Sequence, residues 1–156
     1  MNNYQVILYT DGSSRGNPGP GGYGLILEWA GRQVFKEFSE GFRLTTNNRM
    51  ELLAVIVGLE KLKNPGTSVL VVSDSKYVVD SVSKGWVFSW EKKGYKDKKN
   101  PDLWQRFLKI YRQHRVDFKW VKGHNNHPMN ERCDQLAVQA SHKKDALIDE
   151  YYELND

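Results

Sequence analysis

The run "TSVLVVSD", residues 67–74, constrains the fold more than any other stretch of the chain. It is short and continuously apolar, the pattern of a strand covered on both faces. A sheet containing such a strand needs helices on each side, and the neighbouring segments supply them. "NNRMELLAVIVGLEKLKNPG" (47–66) reads as a helix that is apolar almost all round and therefore buried, capped by Asn47 or Asn48 and stopped by Asn64-Pro65-Gly66. "SKYVVDSVSKG" (75–85), "NPDLWQRFLKIYRQH" (100–114) and "ERCDQLAVQASHKK" (131–144) read as further helices. "YQVILYTD" (4–11) and "VDFKWVK" (116–122) read as strands, and residues 21–44 as two strands joined near Ala30-Gly31. The predicted order is β-β-β-α-β-α-α-β-α: an α/β fold whose mixed sheet has three antiparallel strands, then parallel ones, with helices on both faces.

Length and composition narrow the class. The 156 residues suit one domain with a real core, and no apolar run approaches the ~20 residues of a membrane span. "MNNYQV" has no basic-then-apolar signal pattern, and the single Cys133 rules out an internal disulfide. The expectation is a cytoplasmic, monomeric protein with no membrane partner. Residues 84–122 hold twelve Lys/Arg against four Asp/Glu, a net +8, leaving −4 for the rest of a chain whose total is +4. Such a concentration points to a polyanionic partner, although a solvated surface has the same composition. The acidic stretch "DALIDEYYELND" (145–156) either docks as a helix or is loose.

Four carboxylates stand out. Asp11 and Asp74 each end a strand, where ligands collect in open α/β sheets. Glu51 lies in the first turns of a nearly all-apolar helix, where a buried charge is costly without a counter-charge. Asp134 follows a loop rich in His and Asn. Singly, each has an ordinary role as a turn former or a helix-dipole partner. Together, with no dedicated Lys or Arg beside each, they are most simply reconciled by a shared hard divalent cation, Mg²⁺ or Mn²⁺. The stretch "YTDGSSRGNPGPGGYG" (9–24) is not a phosphate loop, because no Lys-Ser/Thr and no helix follow it. Its glycines serve a turn that lets a ligand approach Asp11.

The motifs "YTDGSSRGNPGPGGYG", "TTNNRMEL", "SDSKYV", "DLWQR" and "WVKGHNNHPMNERCDQLA" occur in this order in type 1 ribonuclease H. Over about residues 4–142 the chain resembles that family, in particular its bacterial single-domain form. The resemblance implies a catalytic domain over 1–143, followed by the acidic tail 144–156. It implies two Mg²⁺ ions, with Mn²⁺ as a substitute, and endonucleolytic hydrolysis of the RNA strand of RNA/DNA hybrids to 3′-hydroxyl and 5′-phosphate ends. The family's metal-binding acids fall on Asp11, Glu51, Asp74 and Asp134, and its loop histidine on His124. Its substrate contacts fall on Asn17, Thr46, Asn47 and Asn48, with Gly12 and Ser13 beside Asp11. Its basic protrusion falls on roughly residues 85–99, with Trp86, Trp90, Lys92, Lys93 and Lys96. Two departures are Lys76, where many bacterial members carry Gln, and Glu91 within the protrusion.

In such a site two ions about 4 Å apart activate a water and hold the departing 3′ oxygen. Asp11 is the natural bridge, Glu51 and Asp74 complete one ion's shell, and Asp74 or Asp134 the other's. Without metal, four neighbouring anions should raise a carboxylate pKa somewhere. His124 could move a proton, and His127 is expected to be structural. The competing readings are a catalytically weak hybrid-binding module, a zinc site on His124, His127 and Cys133, and an integrase- or transposase-like core.

Overall fold

The computed structural model describes residues 4–32, 34–123 and 127–155. Its elements run β1 (Val6–Ser14), β2 (Gly19–Trp29), β3 (Val34–Thr45), α1 (Asn47–Glu60), β4 (Ser68–Ser73), α2 (Lys76–Ser83), α3 (Trp86–Lys92), α4 (Pro101–Tyr111), β5 (Arg115–Trp120), α5 (Pro128–Ala140) and α6 (Glu150–Asn155). The strands form one sheet in the order β3-β2-β1-β4-β5. β1–β2 and β2–β3 pair antiparallel, whereas β1–β4 and β4–β5 pair parallel. The apolar β4 lies between β1 and β5, as its unbroken hydrophobicity requires.

The main core lies on one face, where Leu8, Leu25, Val69 and Val71 meet Leu52, Ile56 and Leu59 of α1 and Trp104 and Phe107 of α4. On the other face α5 covers Tyr9 and Ile26 with Met129, Cys133 and Leu136. α5 lies so close that a Cβ on Gly24 would come within 2.4 Å of the Cys133 carbonyl oxygen.

Three details differ from the sequence reading. Thr46, not Asn47 or Asn48, caps α1: it is extended (φ −127°, ψ 161°) and its hydroxyl accepts from the Arg49 N–H at 3.2 Å. Asn47 is occupied elsewhere, its Oδ1 accepting from the Ser14 N–H at 2.7 Å. Three helices, not two, separate β4 from β5: Gly85, at φ 76°, ends α2, and the short α3 then forms around the buried Val87. α5 begins at Pro128, three residues before Glu131, with the His127 ring accepting from the Asn130 N–H at 3.3 Å. That cap gives His127 the structural role expected of it.

The acidic tail docks. Leu147 bridges to the edge strand β3, its N–H donating to the Gly41 carbonyl at 2.8 Å and its carbonyl accepting from the Arg43 N–H at 2.9 Å. Asp149 is buried, taking hydrogen bonds from Thr45 Oγ1 at 2.8 Å and Arg49 Nε at 2.7 Å.

Candidate active site

The carboxylates predicted from sequence converge. β1 carries Asp11, the turn after β4 carries Asp74, and α1 brings Glu51 over β1. One ligand oxygen from each of the three lies within 4.8 Å of the others. Asp134, from α5 on the opposite face, joins them around a recess of about 420 Å³ that is also lined by Gly12, Ser13, Asn47, Asn48, Lys76 and Tyr77. α1 can approach this closely only because residue 12 is glycine: a Cβ there would lie 2.4 Å from the Glu51 backbone nitrogen. The Gly12 N–H donates to Glu51 Oε1 at 2.9 Å and to Asp11 Oδ1 at 3.0 Å, which ties the two acids to one amide.

The electrostatics are adverse. Asp11 is 5 % exposed and Glu51 8 %. Burial above all pushes the Asp11 carboxyl up to about 7; a hydrogen bond with Glu51 opposes it, and the charges of Asp74 and Asp134 add to it. Burial and the Asp11 charge raise Glu51 well above its ordinary value. Glu51 Oε2 is buried and meets no N–H or hydroxyl donor among the described residues. An unpaired buried oxygen beside further carboxylates belongs to a donor set for a hard divalent cation. The residues therefore fit the metal that the motifs imply.

A hydrogen-bonded bracket holds the glycine-rich hairpin against this site. Asn47 Oδ1 takes the Ser14 N–H, and the Asn47 N–H donates to Asn17 Oδ1 at 3.0 Å. Beside the acidic recess is a second cavity, of about 400 Å³, where Asn17, Thr46 and Asn48 face Lys98, Lys99 and Asn100. Asn48 lines both cavities. Lys76 sits on the rim of the acidic recess with its Nζ 4.9 Å from the centre of the Trp120 ring.

The basic protrusion is α3 and the loop after it. Lys92, Lys93 and Lys96 are exposed and line neither cavity. Trp86 is 45 % exposed under Lys84. Trp90 instead packs edge-on against the buried Trp104 at 5.9 Å. Glu91, the unexpected acid, is paired with Arg112 at 2.6 Å. His124 lies outside the described residues. The zinc alternative fails at Cys133, which is buried beside Ile26 and Leu136 with its thiol pushed up by burial.

Sequence reasoning missed Arg49. It is 2 % exposed and bidentate to both Asp102 and Asp149. Its signal was the one that exposed Glu51: a charge in the first turns of an apolar helix.

The ribonuclease H family model matches residues 3–142. A ribonuclease H from Desulforamulus reducens is 53 % identical over 150 residues, covering 93 % of this chain and 92 % of that protein. One from Rippkaea orientalis is 51 % identical over 154 residues, covering 96 % and 93 %. Among solved structures, the fold resembles LC9-RNase H1, described as a type 1 RNase H with the type 2 active-site motif. The TM-score is 0.78 and the identity 34 %, covering 90 % of this chain and 74 % of that one. LC11-RNase H1, solved in complex with an RNA/DNA hybrid, superposes with a TM-score of 0.62 at 29 % identity, covering 86 % and 95 %. A model match over most of the length and half-identity to relatives aligned nearly end to end leave one assignment: the chain belongs to the ribonuclease H family.

Proposed function

We propose that this chain cuts the RNA strand of RNA/DNA hybrids internally, by metal-dependent hydrolysis that leaves 3′-hydroxyl and 5′-phosphate ends. The observation that carries this reading is the buried Glu51 oxygen with no donor, set among Asp11 and Asp74. Two Mg²⁺ ions, or Mn²⁺, supply water activation and neutralisation of the departing 3′ oxygen when bound. Asp11, central in the sheet, would serve both ions, with Glu51 and Asp74 holding one and Asp74 or Asp134 the other. His124 moves a proton to or from the water or the leaving oxygen.

The remaining residues position substrate. Ser13, Asn47, Asn48 and Lys76 surround the acids, and Asn17 and Thr46 extend that surface into the adjoining cavity. The Gly12 amide is engaged by Glu51, so Gly12 acts by allowing close approach. Recognition of the ribose 2′-hydroxyl, which separates RNA from DNA, falls to polar side chains such as Asn17 and Asn48. Trp86, Lys92, Lys93 and Lys96 contact the DNA strand from the exposed protrusion, and Trp90 supports it from beneath. The catalytic unit is residues 1–143, working as a cytoplasmic monomer. No helix among the described residues is long and apolar enough to cross a membrane.

An assay on a labelled RNA/DNA hybrid beside matched RNA/RNA and DNA/DNA duplexes, in Mg²⁺ and in Mn²⁺, tests this. The expected result is cleavage of the hybrid's RNA strand alone. Binding of the hybrid without cleavage in either metal would make the protein a binding module. Replacing His124 with Ala should lower kcat by about 10²-fold with little change in KM.

A further inference from the structure

We propose that the docked C-terminal tail is part of the substrate groove: Tyr151, Tyr152 and Asn155 of α6 form a wall against which the RNA/DNA hybrid packs where it leaves the acidic recess. The proposal rests on the reading of this chain as a hybrid-cleaving enzyme. It gives a binding role to a segment beyond the span that the family model matches, which ends at residue 142.

The cavity of about 400 Å³ beside the recess is lined from three parts of the chain. Asn17, Thr46 and Asn48 come from the glycine-rich hairpin and the start of α1, and Lys98 and Lys99 from the loop after α3. Tyr151, Tyr152 and Asn155 come from the tail. Asn48 lines the acidic recess as well, so a strand lying across the recess on that side continues into the cavity. Amides, lysines and tyrosines are the groups that hold the phosphates and sugars of a nucleic acid.

An acidic segment beside a polyanion should repel it, and the seating of this one removes the repulsion. Asp149 takes hydrogen bonds from Arg49 Nε at 2.7 Å and Thr45 Oγ1 at 2.8 Å. Glu153 is paired with Arg43 of β3 at 2.7 Å. No Asp or Glu of the described tail lines the cavity. Residues 151, 152 and 155 share one face at helical spacing, and that face is uncharged. The Tyr151 ring is braced by the Arg49 guanidinium, 5.5 Å from its centre, yet stays 38 % exposed. Anchoring alone is served by Leu147, Asp149 and Glu153 and does not need two tyrosines turned into a cavity. Because these anchors hold the wall in place beforehand, binding adds little ordering cost there.

Steady-state cleavage of a labelled hybrid by the full chain tests the proposal. Tyr151→Ala should raise KM by about fivefold or more, the lower end for losing an aromatic contact to a nucleotide. The turnover number should stay unchanged, because the contact is equal in ground and transition states. Tyr151→Phe keeps the ring and should restore KM. Leu154→Ser, on the same helix but 84 % exposed and outside the cavity, should behave as the parent. Photocross-linking supplies a readout that a merely stabilising tail would not move. With 5-iodopyrimidines placed in turn along each strand, and Asp11→Asn to slow cleavage, a cross-link should map to the tryptic peptide 145–156. A KM for Tyr151→Ala within twofold of the parent's, or no cross-link to that peptide at any position, would overturn the proposal. A parent chain that leaves the hybrid uncut would overturn the functional reading itself, and the proposal with it.

Discussion

Arg49 and Glu51 stand two residues apart in the first turns of α1, and both are buried charges. Arg49 is satisfied: Asp102 and Asp149 each give it two hydrogen bonds of 2.7–2.9 Å. Glu51 is surrounded by charges of its own sign, and one of its oxygens meets no donor among the described residues. The same helix thus carries a charge whose partners are built into the fold and one whose partner must arrive from outside. The first ties α1 to α4 and to the C-terminal tail. The second stores repulsion that a cation relieves, which is how a binding site differs from a structural ion pair.

The largest effect should come from removing one anion on the Glu51 side. Replacing Asp11 with Asn deletes a metal ligand, and with several kcal/mol of charge stabilisation lost, hydrolysis should fall by about 10³-fold. The same change should make the metal-free protein harder to unfold in urea. Survival of about a tenth of the activity, less than 1.4 kcal/mol of lost stabilisation, would remove Asp11 from its proposed role.

On the Arg49 side the sign reverses. The Arg49→Met variant leaves Asp102 and Asp149 facing each other without a cation, at a cost of about 3–5 kcal/mol by analogy with other broken buried pairs. Urea denaturation reads this directly. A loss below about 1 kcal/mol would place the network among exposed pairs of little consequence.

The comparison sharpens with pH. Burial holds Asp11 up at about 7, and burial and the Asp11 charge raise Glu51 well above its ordinary 4.5. The unfolded chain gives up these protons near pH 4, while the folded, metal-free chain keeps them. Stability is therefore fully present below about pH 4 and is lost as pH rises through the folded pKa values. Divalent metal should reverse the loss, so Mg²⁺ should raise Tm more at pH 8 than at pH 5, each kcal/mol being about 2–4 °C at this chain length. Equal Mg²⁺ shifts at both pH values would contradict the assignment of the raised groups to the metal site.

The smallest effect on chemistry lies in the protrusion. Substituting Lys92, Lys93 and Lys96 together by Ala should flatten log affinity against log salt by up to about three units, at about 0.9 per phosphate contact. It should raise KM at moderate salt and leave kcat unchanged. A triple variant with an unaltered salt slope would reduce that segment to solvated surface.

Much of the site was legible in the chain itself. A continuous apolar run must be buried on both faces, so β4 had to lie inside the sheet and Asp74 at its end. Glu51 was visible because a carboxylate interrupts an apolar helix. Arg49 breaks the same pattern, but its partners lie 53 and 100 residues away, and nothing local distinguishes a paired charge from an unpaired one. α3 was missed for a related reason. Its seven residues carry no long helical period, and it forms because Val87 and Trp90 find the core that α4 supplies.

Local pattern therefore determined the element types and which residues must be buried, since periodicity and burial depend on near neighbours in the chain. Tertiary structure alone decided that Asp11 and Glu51 share one amide and that Arg49 reaches the tail. Those outcomes depend on distances across the fold between residues tens of positions apart. Only the strand order β3-β2-β1-β4-β5 and the packing of α1 and α5 against it set those distances.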